Sequence, residues 1–324
     1  MAGRSGFDDS FVGGVPAGLI ATVSGRGGDP RALGGAVDGD TWLARLPRLV
    51  SDLGQEWELR PDGDAAAGSL SLALRVTTAE GEEAVLKVAW PNPATAHEHL
   101  ALRLWGESHA VRLLRADPGR NAQLLERAGP DDLYSLDVEA ACAVIGEKLA
   151  HLRAPARPPF VTLSDEARRW ARELREATPM DAAFPQRFRL QAASLAADLA
   201  SDCGDDTLVH ADLHYRNVLA SRREGQPGWL AIDPDPLLGE PEACLAPALW
   251  NRIDPADAGG ALAWDLSNRI EILCAPGELD PERARAWSLV RVVAGALDEF
   301  RHPTGAPHRN LTLRVRLAKA LQRP

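Results

Sequence analysis

The chain has 324 residues and a formal net charge of −10, with 36 Lys+Arg set against 46 Asp+Glu. That length allows one large domain or two lobes with a sizeable core, and the acidic balance excludes a general nucleic-acid binder, which needs a basic footprint, while suiting a cationic small-molecule substrate. Cys142, Cys203, Cys244 and Cys274 form no C-x-x-C pair, no run approaches the roughly 18 apolar residues of a membrane helix, and the N-terminus makes a poor secretory signal, so a cytoplasmic protein with reduced thiols and no zinc or membrane contact is expected.

Residues 1–40 are rich in Gly and Ala, with Pro16 and Pro30, and read as a loosely ordered lead with one short helical turn. Residues 42–53 place apolar side chains at helical spacing. A short strand over 57–60 and a turn over 61–69 follow. Residues 70–76 alternate apolar and polar, as a half-buried strand does; a turn at 80–82 leads to a strand over 84–88, giving an antiparallel meander. Pro91 and Pro93 break it. Thr95 and Glu98 fit a capping box for a helix over 96–105. Strands over 111–114 and 122–126 flank a turn at 117–119. Residues 41–127 thus read as a small β-rich lobe containing one helix.

Past Arg127 the pattern turns helical. A helix over 136–152 is ended by Pro155, Pro158 and Pro159, and further helices span 164–176 and 188–200. Ser194, Leu195 and Leu199 are expected on the buried face of the latter. Short strands at 207–209 and 229–232 surround a polar motif, and helices return from Leu245. Residues 128–324 then read as a larger, mainly helical lobe, and the whole is an α+β, two-lobed arrangement.

The chemistry concentrates in HADLHYRN at 210–217, with Asp233 sixteen residues beyond Asn217. A hydroxyl must lose its proton as it attacks a terminal phosphate, and the Asp212 carboxylate can orient it and accept that proton. The Asn217 amide oxygen can join a magnesium site, and Asp233, at the end of a strand expected to pair beside the loop, can bind metal ions that bridge nucleotide phosphates. An isolated Asp is ordinarily a turn or cap residue; the joint pattern carries the reading. His210 is expected to anchor backbone, while His214 either supports the loop or faces the pocket. Lys87, flanked by Val85, Leu86 and Val88, needs an anion to offset its desolvation; ATP phosphates would serve, with Glu98 holding the ammonium group. The 61–69 segment, with Gly63 and Gly68, is either a loop laid over phosphates or a plain hairpin turn. Backbone groups of Glu126 and Ala128, at the lobe junction, are positioned for an adenine edge. Asp235, Asp265, Glu271, Asp298 and Glu299 are candidates for recognising a cationic acceptor, each also readable as a surface acid. Trp250 and Trp264 read as pocket walls or, preferably, as core.

At these residues the chain resembles the aminoglycoside/hydroxyurea phosphotransferase family and its streptomycin 6-kinase branch. The resemblance runs from about Val15 to the C-terminal helices and is densest in AVLKVAWP, ALRLWG, AVRLL, LLERA, HADLHYRNVLA and WLAIDPDPLLGEP. It implies a protein-kinase-like fold using ATP and Mg2+, with Asp212 as catalytic base, Asn217 and Asp233 as metal ligands, and Lys87 with Glu98 as the phosphate-positioning pair. The implied substrate is an aminoglycoside antibiotic, inactivated because a dianionic phosphate falls where a ribosomal RNA contact needs a neutral hydroxyl. Alternatives are hydroxyurea, another antibiotic or an amino-sugar metabolite as acceptor, or a nucleotide-binding pseudokinase. No nucleic-acid or membrane partner is expected, and the protein would be a monomer or weak dimer. The chain departs from the family at Cys244, where an Asp commonly holds the catalytic loop from below, and at Ala211, where Gly or Trp is often found. On that reading Cys244→Asp would raise stability or activity.

Overall fold

The computed structural model describes residues 14–225, 228–254, 259–302 and 307–322. The chain divides into two compact units, Met1–Gly129 with Arg222–Gln226, and Pro130–Ser221 with Pro227–Pro324. No described helix is long and apolar enough to cross a membrane.

The first unit is built on an antiparallel sheet of β1 (Arg60–Ala67), β2 (Ser71–Thr77), β3 (Glu83–Ala89), β4 (Leu113–Asp117) and β5 (Ala122–Glu126), in the order β1-β2-β3-β5-β4. Period-two alternation sorts its faces. Leu74, Leu86 and Leu124 lie in register across β2, β3 and β5 and are buried. They share a core with Leu19 and Val23 of α1 (Ala17–Val23) and Trp42, Leu46, Val50 and Leu53 of α2 (Gly39–Glu56). Each such leucine contributes about 2 kcal/mol by leaving water. One residue away, Ala73, Lys87 and Gln123 form the matching row on the opposite face. Asp38 caps α2 by accepting from the Thr41 N–H at 2.8 Å, and the Trp90 indole donates to the Val37 carbonyl at 2.8 Å, which fixes where α2 begins.

Three local expectations change here. The short helical turn expected in the lead is α1, and it is packed rather than loose: Leu19 and Val23 are fully buried, an anchoring that Gly and Ala content conceals, while residues 1–13 lie outside the described residues. The segment read as a 57–60 strand and a 61–69 turn is β1 from Arg60 onward, with Trp57 at the end of α2. β1 is an edge strand whose side chains are mostly exposed, so it carries no apolar alternation, and a register shift between Pro61 and Ala65 takes up the proline and Gly63. Only residues 68–70 turn, with the Gly68 N–H donating to the Ser71 carbonyl at 2.8 Å, so the loop read over 61–69 shrinks to a short hairpin turn between β1 and β2. Finally, α3 (Glu98–Trp105) begins at Glu98 without a side-chain cap. Thr95 donates instead to the Trp90 and Asn92 carbonyls, because the Asn92 turn before it holds residues 92–97 outside the helix. α1 and α2 join α3 in this unit.

The second unit carries α4 (Val138–His151), α5 (Leu163–Glu176), α6 (Gln186–Leu199), α7 (Ala246–Trp250), α8 (Gly260–Cys274), α9 (Pro281–Arg301) and α10 (Pro307–Ala320). Its short strands are β6 (Ala154–Pro155), β7 (Val161–Thr162), β8 (Thr207–His210) and β11 (Pro236–Leu238), ordered β6-β8-β11-β7, and a separate antiparallel pair, β9 (Val218–Ala220) with β10 (Trp229–Ala231). Asp137, Thr162 and Asp280 cap α4, α5 and α9 through their side-chain oxygens. The buried face of α6 is Phe188, Arg189, Ala192, Ala193, Ala196 and Leu199; Ser194 is exposed and Leu195 half-buried, a rotation from the expected face. Alanines let α6 approach closely, and Arg189 is buried because its guanidinium pairs with Asp181 at 2.7 and 2.9 Å and donates to the Leu174 and Arg175 carbonyls. Hydropathy alone puts an arginine on the outside.

Candidate active site

In the second unit, β8 delivers His210 at its end, and residues 211–217 form a loop that leads into β9. Backbone and side-chain bonds over-determine this loop. His210 Nε2 lies 3.0 Å from the Ile232 carbonyl, and its Nδ1 accepts from the Asp212 N–H at 3.2 Å, so the histidine works on backbone. The Ala211 N–H donates to the Asp235 carbonyl at 2.8 Å, and the Ile232 N–H to the Asn217 carbonyl at 2.9 Å. Asn217 Nδ2 reaches back to the Asp212 carbonyl at 2.9 Å and to its carboxylate at 3.4 Å. With the amide nitrogen spent in this way, Asn217 keeps its amide oxygen for a cation.

Asp233 follows β10 with φ at 56°, a left-handed conformation that costs a non-glycine residue about 1 kcal/mol or more and persists where the surroundings impose it. Crowding by protein pushes the Asp212 carboxyl up to about 6; Asp233 adds to the rise, while Arg291 and Asn217 oppose it. With 43% of its side chain open to solvent, Asp212 keeps part of its hydration, which moderates that desolvation. Asp235 is pushed up to about 7, by desolvation first and by Asp212 second, against Arg291. His214 Nε2 stands 3.8 Å from Asp212, and desolvation lowers its proton affinity, so it is neutral beside the carboxylate. Asp233 raises the proton affinity of Asp212, and Asp212 that of Asp235; carboxylate and amide oxygens such as those of Asp233 and Asn217 are hard donors of the kind that suits a magnesium ion. Asp212 remains reachable from solvent with a proton affinity close to neutrality, which suits a general base.

In the first unit, Lys87 and Glu98 form an ion pair with 6% and 3% of their side chains exposed. A third member, which the sequence did not single out, is Gln123: in register with Lys87 on β5, it donates from Nε2 to Glu98 at 2.7 Å. Its one signal in the sequence is a single polar residue inside the buried run 122–125. Glu126 spends its carboxylate on Arg112 and Arg223 and its N–H on the Arg112 carbonyl at 3.0 Å. Glu126 thus has a backbone carbonyl, not an N–H, to offer a base edge, and Ala128 lies two residues past the end of β5.

Of the acids considered for acceptor recognition, the structure brings only Asp235 beside Asp212. Asp265 pairs with Arg269 at 2.8 Å within α8, and Glu299 accepts from Asn310 at 3.1 Å. Glu271 and Asp298 are exposed. Trp250 is half-buried between two guanidinium groups, Arg314 at 4.3 Å and Arg291 at 5.7 Å from its ring centroid. Trp264 is 69% exposed, contrary to core packing, because the inward face of α8 is taken by Leu262, Ala263, Leu266, Ile270 and Leu273.

The family model described as aminoglycoside/hydroxyurea antibiotic resistance kinase matches residues 56–300. A streptomycin 6-kinase from Streptomyces griseus is 38% identical over 290 residues, covering 87% of this chain and 90% of that one. A hydroxyurea phosphotransferase from Kitasatospora aureofaciens is 39% identical over 271 residues, covering 82% and 76%. Among solved structures, the choline kinase LicA from Streptococcus pneumoniae superposes with a TM-score of 0.59 at 15% identity, covering 86% of this chain and 99% of that one, a likeness of fold. The fold class is accordingly α+β and protein-kinase-like.

Proposed function

The chain belongs to the aminoglycoside/hydroxyurea antibiotic resistance kinase family, and from that premise we propose that it transfers the terminal phosphoryl group of Mg-ATP to a hydroxyl of a streptomycin-like aminoglycoside, inactivating the antibiotic. The observation that carries this reading is the Asp212 loop, with a solvent-accessible carboxylate whose preceding peptide and side chain are both held by neighbouring groups. Asp212 orients the acceptor hydroxyl and takes its proton as the oxygen attacks the γ-phosphorus and ADP departs. Asn217 and Asp233 would hold magnesium, which supplies charge to offset the phosphates. Lys87 pairs with the nucleotide phosphates, and Glu98, steadied by Gln123, orients its ammonium group. The Glu126 carbonyl and the Ala128 N–H would meet the adenine edge. Asp235 is the first choice for a cationic group of the acceptor, because it is the candidate acid adjacent to the base.

The second reading keeps the chemistry and changes the acceptor to hydroxyurea; the 39% identity to a hydroxyurea phosphotransferase favours it. Both are separated by incubating the protein with Mg-ATP and each acceptor and reading product mass, with Asp212→Asn as control. Streptomycin gaining one phosphate with wild type and none with the variant is the expected result. A phosphorylated hydroxyurea and unchanged streptomycin would move the assignment to the second reading. Equal turnover by the variant would remove Asp212 as base.

A further inference from the structure

The peptide that precedes Asp212 is bonded at both ends. Its N–H is taken by His210 Nδ1 within the same segment, and its carbonyl, that of Ala211, is taken from outside the loop. The donor is Arg291 on α9, eighty residues along the chain, whose Nη1 lies 2.6 Å from the Ala211 carbonyl and 3.0 Å from the Ala243 carbonyl. A guanidinium Nη1 carries two N–H bonds, one for each carbonyl, and both bonds are charge-assisted. The Ala243 carbonyl belongs to the turn that holds the buried Cys244, so one nitrogen ties the base-bearing loop to the segment beneath it.

Arg291 is itself held. Its guanidinium lies over the Trp250 ring, which carries Arg314 as well. α9 is anchored by the Asp280 cap, by Trp287, fully buried with its indole N–H donating to Glu240, and by Arg283 paired with Glu240 at 2.7 Å. A stiff donor on a stiff helix fixes the peptide it binds, whereas a thiol at position 244 is a weak hydrogen-bonding group.

We propose that Arg291 is a positioning residue for phosphoryl transfer, bridging the Ala211 and Ala243 carbonyls so that the Asp212 carboxylate is held at the geometry its proton transfer needs. The inference rests on the assignment of Asp212 as base. A base displaced by about 1 Å costs on the order of 100-fold in rate, with binding of either substrate little affected. A residue that merely supports the fold would lower the concentration of active protein or weaken substrate binding, rather than slowing the chemical step alone.

The test uses wild type, R291K and R291M. R291K keeps the charge and a donor for one or both carbonyls, and R291M keeps only the stem. The readouts are kcat and KM for Mg-ATP and for streptomycin, normalised to folded protein, together with amide hydrogen exchange over residues 210–217. R291M is expected to lose about 100-fold in kcat with both KM values within about threefold of wild type, R291K to recover most of that loss, and exchange over the loop to accelerate in R291M alone. R291M turning over within about threefold of wild type, or raising both KM values at unchanged kcat, overturns the proposal, as does unchanged exchange in the loop. If R291M does not fold, R291Q, a shorter neutral donor, replaces it under the same criteria. Absence of transfer by wild type to any acceptor would count against the phosphotransferase reading instead, and the exchange comparison would still decide whether Arg291 braces the loop.

Discussion

Asp212, the proposed base, carries an energetic cost. Its folded proton affinity, near 6 against an ordinary 3.8, means that the folded state binds more protons than the unfolded chain between those values. The stabilising contribution is therefore complete below about pH 4 and is lost as pH rises through about 6. Asp212→Asn removes that loss, so the metal- and nucleotide-free variant should unfold at higher temperature than wild type at pH 8, by a margin that shrinks at pH 5 and disappears below about pH 4. Allowing for the exposure of the side chain, the gain is about 1 kcal/mol. Thermal melts at the two pH values check it, and an equal shift at both would show that charge is not the cause. At Cys244 the burial of the site argues against what the family pattern implies. The residue is fully buried, and desolvation, with Asp235 and Glu242 nearby, pushes its thiol up to about 12 against the pull of Arg291. A carboxylate there would be desolvated in the same surroundings, so Cys244→Asp is expected to lower stability by roughly 2 kcal/mol rather than raise it. Urea unfolding of the variant decides the sign.

At the scale of elements, the active loop depends on pairing that is local in space and distant in sequence: β8 with β11, β9 with β10, and a helix-borne arginine beneath. The α5 and α6 pair shows the same dependence on a buried polar group. Arg189 ties Asp181 to the last turn of α5, and replacing it with methionine leaves the Leu174 and Arg175 carbonyls without their donor. Arg189→Met is expected to destabilise the protein by roughly 2–3 kcal/mol, read by urea denaturation, with KM for Mg-ATP unchanged in the remaining folded protein. The expected boundaries of 136–152 and 164–176 lie within two residues of α4 and α5, because apolar periodicity and the prolines that follow α4 are written in the chain. β1 and the cap of α3 escape the sequence reading because exposed edge pairing and a hydrogen-bonded turn before a helix leave no apolar period to read.

For the whole molecule, a net charge of −10 acts on the two proposed substrates with opposite sign. A polycationic aminoglycoside is drawn towards an acidic protein and an ATP anion is repelled, and salt screens both. Raising ionic strength from about 50 to about 500 mM should lower kcat/KM for streptomycin several-fold and leave that for ATP unchanged or higher, measured by steady-state kinetics with each substrate varied in turn. A fall in both together would point to salt acting on the fold or on metal binding instead.

The sequence by itself determined the α+β class and most of the longer helices and central strands, and it singled out Asp212, Asn217, Asp233, Lys87 and Glu98 as candidates, because those depend on local periodicity and on a short motif whose spacing survives without knowledge of the fold. Only the tertiary structure decided that Gln123 stands against Glu98 and that Arg291 reaches the peptide before Asp212. It likewise decided that Trp264 faces outward and that Cys244 is fully buried. Each of these is a contact or a burial made by residues far apart in the chain, and hydrogen-bond partners and solvent exclusion are properties of packing in space that no single segment encodes.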